Sequence, residues 1–338
     1  MTGRQRIQMS MAHQEPPLVP LNLMFSPPAL AALQAYLGVE DVDSALGVDI
    51  LLVGPRQGKP LYASPADYGP TITDQWGVVW STSDIDRGSP IGPCVAEPEL
   101  ELVPRPDPND PRRFEGMCDA LAAERERYRV IACGDMWERA GFMRGLHHLL
   151  LDVAVRPDFV GGLLDILCDY IVATMENVKD FPSECIFLSD DYGMQRSLMI
   201  SPGDWRKLVR PRFQRFVDAS HRAGKAAMLH SCGAVTELVP QFIECGLDIL
   251  HPIQPEAVDV FALKREYGGE ITFCGGISTQ NTLPYATPGQ VKEEVRRVLD
   301  VMARNGGYIL EPGITVQADV PPQNVVALVE ARNEFGGG

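Results

Sequence analysis

Two residues in the stretch Ala226-Ala227-Met228-Leu229-His230-Ser231-Cys232-Gly233 have the types and spacing of metal ligands. The apolar run reads as a short buried strand that ends in a His-x-Cys pair and a glycine. On a strand, side chains at i and i+2 point the same way, so His230 and Cys232 converge on one point. Imidazole nitrogen and thiolate sulfur are good zinc ligands. A catalytic zinc takes at least three protein ligands and keeps one position open. Cys274 and Glu311, each at the end of a later apolar run, are the candidates for the third. Both also have a plainer reading, because a buried Cys is commonly a small core residue and a Glu pairs with Arg or Lys. An acid between Leu310 and Pro312 is nonetheless an odd place for a solvated charge.

A second group of polar residues follows another apolar run, Cys185-Ile186-Phe187-Leu188-Ser189. Asp190 and Asp191 have the character of a general acid/base or a substrate anchor. One of them is expected to act so, and the other to cap the following turn. Tyr192, Gln195 and His251 are the expected substrate contacts, and Asp135 to Glu138 form a further polar stretch after an apolar run.

These residues need a scaffold that brings them together. Apolar runs near positions 20, 51, 131, 186, 228, 249, 272 and 309 read as strands, nearly all separated by helical sequence. Such alternation predicts a parallel α/β sheet, and eight repeats suit a (β/α)8 TIM barrel with its active site at the strands' C-terminal ends. Asp190, Asp191, His230, Cys232, His251, Cys274 and Glu311 all fall there. An open doubly wound sheet is the alternative, weakened by the lack of a G-x-G-x-x-G after the first strand.

Several details accompany this reading. The chain is one domain over 1–338, with a Pro-, Gly- and Asp-rich insertion at 55–111 after the second strand, placed over one end of the barrel. Val19 to Phe25 is the first strand, and residues 1–17 are polar and loose. Helices are expected over Arg112 to Arg127 and Trp137 to Val153, and Pro211 should kink or divide the helix that starts at Ser201-Pro202.

Bulk composition narrows the function. The 338 residues are 45% hydrophobic, enough for a large core, and carry a net charge of -15. That acidity disfavours nucleic acid and anionic membranes as partners. The eight cysteines follow no disulfide framework. No hydrophobic segment follows the polar Met1-Thr2-Gly3-Arg4-Gln5-Arg6. A reduced, cytoplasmic protein is expected.

The motifs together resemble the uroporphyrinogen decarboxylase superfamily. They are Leu229-His230-Ser231-Cys232-Gly233, Gly275-Gly276-Ile277-Ser278-Thr279-Gln280, Asp190-Asp191-Tyr192-Gly193-Met194-Gln195, and Gly307-Tyr308-Ile309-Leu310 followed by Gln317 to Asn324. The resemblance implies a (β/α)8 barrel. It also implies one of two activities, cofactor-free decarboxylation of uroporphyrinogen or corrinoid-linked methyl transfer assisted by zinc. The Arg-Gln-Ala-Gly-Arg-Tyr segment of the decarboxylases is missing here, and His-x-Cys-Gly is similar to the methyltransferase branch, where His and Cys bind zinc. Those roles pass to His230 and Cys232. In that branch the third ligand is a Cys in a Pro-Gly-Cys sequence, whereas Pro312-Gly313 is followed here by Ile314.

The expected function is therefore a zinc-assisted methyltransferase acting between a small-molecule substrate and a cobalamin-bearing corrinoid protein, with a homodimer allowed for. A metal-free decarboxylase acting through Asp190 or Asp191, and a non-catalytic tetrapyrrole- or corrinoid-binding barrel, are the alternatives.

Overall fold

The computed structural model describes residues 1–337. Its main sheet has seven parallel strands: β1 (Ile50–Val53), β2 (Tyr128–Gly134), β3 (Cys185–Ser189), β4 (Ala226–His230), β5 (Ile249–Ile253), β6 (Thr272–Ile277) and β7 (Tyr308–Pro312). They lie side by side in chain order, with helical sequence in most of the connections. Parallel strands require such crossovers.

Residues 20–25 run between the two edges of this sheet. Leu310 N–H donates to the Pro20 carbonyl (2.8 Å), Asn22 N–H to the Leu310 carbonyl (2.9 Å), and Asp49 N–H to the Leu21 carbonyl (2.8 Å). Edge groups of β7 and the residue preceding β1 are satisfied in this way, and the sheet curls into a TIM-barrel-like form. The strand expected over Val19 to Phe25 exists only as isolated bridges at Leu21 and Phe25. Pro20 has no N–H to donate, and the Leu21 N–H goes to the Asp49 carboxylate (2.9 Å) instead of a neighbouring strand.

Alternate side chains of the strands fill the interior. Ile50, Tyr128, Val130, Cys185, Phe187, Met228, Ile249, Cys274 and Ile309 form one buried cluster, which also takes in Ile7. Ile7 belongs to a helix over Gly3–Met11, opened by a capping box between Thr2 and Gln5. The first residues are thus not loose. Their helix covers the N-terminal end of the barrel, where Ser10 Oγ donates to the Tyr308 carbonyl (2.8 Å) and Arg6 pairs with Asp49. Arg332, from the closing helix, meets the same carboxylate at 3.0 Å. Ile7 and Met11 alone give a polar stretch no helical apolar stripe, and only the barrel floor supplies their partners.

Two helical expectations are also modified, and a third, the division at Pro211, is met. The region after residue 111 holds a 3-10 turn (Pro111–Phe114) and a short helix (Met117–Ala123), separated by Gly116 at φ 76°. Two helices, Trp137–Arg144 and Leu146–Val155, replace one because Gly145 takes φ 80° between them. Before Pro211 the helix widens into a π turn over Trp205–Val209, which accommodates the missing proline N–H.

Within residues 55–111 lies a three-stranded antiparallel sheet of Thr71–Thr73, Val79–Ser81 and Pro90–Gly92. The Asp74 carboxylate organises its first turn, accepting from the N–H groups of Trp76 (2.9 Å) and Val78 (3.0 Å) and from Trp80 Nε1 (2.9 Å). The same carboxylate meets Arg139 at 2.6 Å, and Val95 N–H donates to the Met143 carbonyl at 2.9 Å. This small sheet is therefore fastened to the helix that follows β2, beside the strands' C-terminal ends.

Candidate active site at the strand ends

The inward alternation that places apolar groups deep in the barrel places polar ones at its mouth. Met228 faces inward, so His230 does too, and Cys232 continues the series beyond β4. On β5, Ile249 leads to His251, and on β7, Ile309 leads to Glu311. His230 and His251 are register partners.

Two groups of metal-binding side chains result, each with donor atoms within 4.8 Å of one another: Asp191, His230 and Cys232, and below them His251, Cys274 and Glu311. In the outer group, His230 Nε2 lies 3.4 Å from Cys232 Sγ and 3.5 Å from Asp191 Oδ1. Asp191 Oδ1 also accepts the Cys232 N–H at 2.7 Å. In the inner group, His251 Nε2 is 3.2 Å from Glu311 Oε2, which also accepts from Cys274 Sγ at 2.8 Å. His251, Cys274 and Glu311 are buried. Cys274 and Glu311 thus gather around His251, and the carboxylate that completes the donor set of His230 and Cys232 is Asp191.

The electrostatics of the outer group favour a cation. Burial, then the charges of His251 and Arg87, hold the His230 imidazole well below its usual range, hence neutral. Burial, then Asp191 and Glu138, push the Cys232 thiol up. Asp191 is also raised, chiefly by burial, although the Cys232 N–H works the other way. For the two acids burial outweighs the opposing charge of Arg87, whereas for His230 burial and the neighbouring positive charges act together, so each group is driven toward its uncharged form. A divalent metal would reverse this for both acids, since a coordinating thiol is deprotonated outright. The donor set of one imidazole, one thiol and one carboxylate suits zinc and leaves a fourth position open.

The neighbouring Asp190 is placed differently. It is fully buried, and its carboxylate accepts N–H bonds from Met136 (3.2 Å), Trp137 (3.0 Å) and Glu138 (2.8 Å), plus the Tyr192 hydroxyl (2.8 Å). It caps the N-terminus of the Trp137–Arg144 helix. Burial nevertheless lifts its carboxyl to about 7. Tyr192, expected at the substrate, is buried. Its ring is buried against Trp205 and Phe242, because its hydroxyl is drawn to Asp190. Gln195 is exposed and ties two loops, donating to the Glu256 carbonyl (3.1 Å) and accepting from Gln280 (3.2 Å). His251, expected at the substrate, lies beneath His230.

A model of the uroporphyrinogen decarboxylase (URO-D) family matches residues 84–335. The chain belongs to the URO-D family. The methylcobamide:CoM methyltransferase MtaA of Methanosarcina barkeri is 25% identical over 180 residues, covering 53% of this chain and 50% of its own. The chain therefore spans about half the length of that relative. A uroporphyrinogen decarboxylase of Pseudoalteromonas atlantica is 20% identical over 316 residues, 87% of this chain and 79% of its own. A solved methyltransferase from Methanosarcina mazei shares the fold, with TM-score 0.76, 17% identity and 99% of each chain covered.

Within this URO-D chain, two residues near the cluster stand out beyond the motifs. Arg87, from the loop between the second and third strands of the small sheet, approaches Glu138 at 3.6 Å, and its charge acts on Asp191, His230 and Cys232. Glu138 is itself raised well above the usual carboxyl range by burial and then by Asp191. No sequence signal marks Arg87, since it lies in a polar loop that only tertiary packing brings over the barrel mouth. Two further arginines of this region are already engaged. Arg139 pairs with Asp74 (2.6 Å) and Asp135 (3.0 Å), and Arg144 with Asp152 (2.7 Å), all four pairing groups of Arg139–Asp74 and Arg144–Asp152 being buried. Among the described residues no helix is long and apolar enough to cross a membrane.

Proposed function

We propose that this chain is a zinc-assisted methyltransferase that moves a methyl group between a small substrate and the corrinoid of a partner protein. The single observation behind this reading is the convergence of Asp191, His230 and Cys232 at the strand ends. Zinc held there would lower the pKa of a substrate thiol or polarise an ether oxygen. Neutral His230 and the two acids present the donor atoms. Asp191 additionally holds the Cys232 backbone through its N–H. Asp190 positions the helix that carries Glu138 and contacts no substrate. The reading treats the whole chain as one (β/α)8 domain, with residues 55–111 as an insertion over the mouth where cobalamin docks. Eight free cysteines suit a reducing cytoplasm.

Decarboxylation of a polycarboxylate is the poorer reading. Such a substrate needs several free cations, and of the candidates Arg139, Arg144 and Arg196 the first two are held in buried ion pairs.

Metal analysis of the purified protein tests the proposal. Zinc at one equivalent, lost in His230→Ala and Cys232→Ala and weakened in Asp191→Asn, is the expected result. Methyl transfer by a protein free of metal would overturn it.

A further inference from the structure

Beside the cluster lies a cleft of about 320 Å3, at the small end of ligand pockets. Its walls come from the third strand of the small sheet and the Trp137–Arg144 helix, and Ile91, Trp137, Phe142, Leu146 and Met199 make them apolar. Ile91 and Leu146 are 56% and 40% exposed at the rim, with no partner in the fold to cover them. One ionisable side chain, Glu138, lines the cleft.

Glu138 links the cleft to the metal-ligand cluster. It sits on the helical turn whose N–H groups hold Asp190, the residue next to Asp191. A ligand in the cleft would thus direct one end toward Asp191, His230 and Cys232. The surroundings also restrict its charge. Glu138, the one ionisable side chain of the lining, offers an anion no counter-charge, and Arg87 already faces it at 3.6 Å. A cationic ligand would have to displace Arg87 from Glu138, and the rest of the lining offers it no charge.

We infer that this cleft binds the non-reacting part of the substrate, and that this part is uncharged and apolar, the size of one aromatic ring or a short branched alkyl group. The inference rests on the methyl-transfer reading for its reactive end and on the cleft for the rest. It sets this chain apart from enzymes whose small acceptor carries an anionic group.

Calorimetric titration of metal-free protein with benzyl alcohol and with ethanesulfonate tests it. Saturable binding of benzyl alcohol, at least tenfold tighter than ethanesulfonate, is expected. A Cβ added at Gly92 meets nothing within 4 Å, so Gly92→Phe should fill the cleft without disturbing the fold and weaken benzyl alcohol binding at least tenfold. Leu146→Asp, which charges the rim, should weaken it as well. Both variants should keep the wild-type zinc content. Equal or tighter binding of ethanesulfonate, or unchanged benzyl alcohol binding in both folded variants, would overturn the inference. Because the titration uses metal-free protein, the two readings fail separately. Zinc uptake without benzyl alcohol binding removes the cleft alone, and benzyl alcohol binding by protein that takes up no zinc removes the metal site alone.

Discussion

The Nδ1 atoms of His230 and His251 face each other at 3.0 Å. One must donate and the other accept. If His230 Nδ1 donates, its Nε2 lone pair is free toward Cys232 and Asp191, and His251 then carries its own proton on Nε2, aimed at Glu311 at 3.2 Å. Burial would raise the Glu311 carboxyl, but His251, then Cys274 and Asn22, overcome it and hold it below its usual range. In that arrangement Glu311 is the anionic end of a chain that fixes the tautomer in which His230 Nε2 would be free to ligate a metal.

Glu311→Ala should accordingly lower zinc affinity about 10–100-fold, with Glu311→Gln retaining more because its amide oxygen can still accept from His251. Competition with a chromogenic chelator reads the affinity, and 15N shifts of the histidine rings read the tautomers. Unchanged zinc affinity in a folded Glu311→Ala protein contradicts the arrangement. Complete loss there, with Asp191→Asn unaffected, would make Glu311 the ligand.

Asp190 predicts a pH dependence. Its folded carboxyl sits at about 7, against roughly 3.9 in the unfolded chain. Such a group contributes stability that is fully present below the unfolded value and is lost as pH rises through the folded one. The melting temperature should therefore fall between about pH 4 and 7, by a free energy on the order of 4 kcal/mol at 1.36 kcal/mol per unit. In Asp190→Asn this slope should flatten, while the loss of helix-capping bonds lowers stability at low pH. Equal slopes in the two proteins would show that Asp190 does not titrate there.

Gly193 and Gly233 hold the Asp191 and Cys232 loops at close approach. A Cβ on Gly193 would lie 2.7 Å from the Ala234 nitrogen and the Cys232 oxygen, and one on Gly233 would lie 2.6 Å from the Gly193 carbonyl carbon at φ 84°. Backbone at such distances cannot yield as a flexible side chain does. Gly193→Ala and Gly233→Ala should each separate the loops, break the 2.7 Å bond from Cys232 N–H to Asp191 and lower zinc affinity at least about tenfold, the scale of lost supporting contacts. Chelator competition on either variant checks this, and wild-type affinity would refute it.

Removing Arg139 would leave Asp74 buried without its cation. Breaking such a pair costs about 3–5 kcal/mol. Arg139→Ala should lower the denaturation midpoint accordingly in urea unfolding. Because Asp74 orders the small sheet, benzyl alcohol binding in the cleft should weaken too. A stability loss below about 1 kcal/mol, typical of exposed pairs, would place this ion pair outside the core.

Local signals in the sequence settled the strand at Ala226–His230, the convergence of His230 with Cys232, and the series of strands and helices that implies an α/β barrel. Each follows from periodicity and side-chain direction, which act over a few residues. The partners across the barrel were not legible in this way. Asp191 and not Cys274 or Glu311 joins His230 and Cys232, since the strands' register and the meeting of two loops at Gly193 and Gly233 fix those distances. Asp190 differs from Asp191 because a helix N-terminus from another part of the chain points at its carboxylate. Helix Gly3–Met11 gains its partners only once the barrel floor exists, and Arg87 reaches the site only through the small sheet fastened by Asp74 and Arg139. In each case the deciding energy comes from burial and hydrogen bonding between residues far apart in sequence.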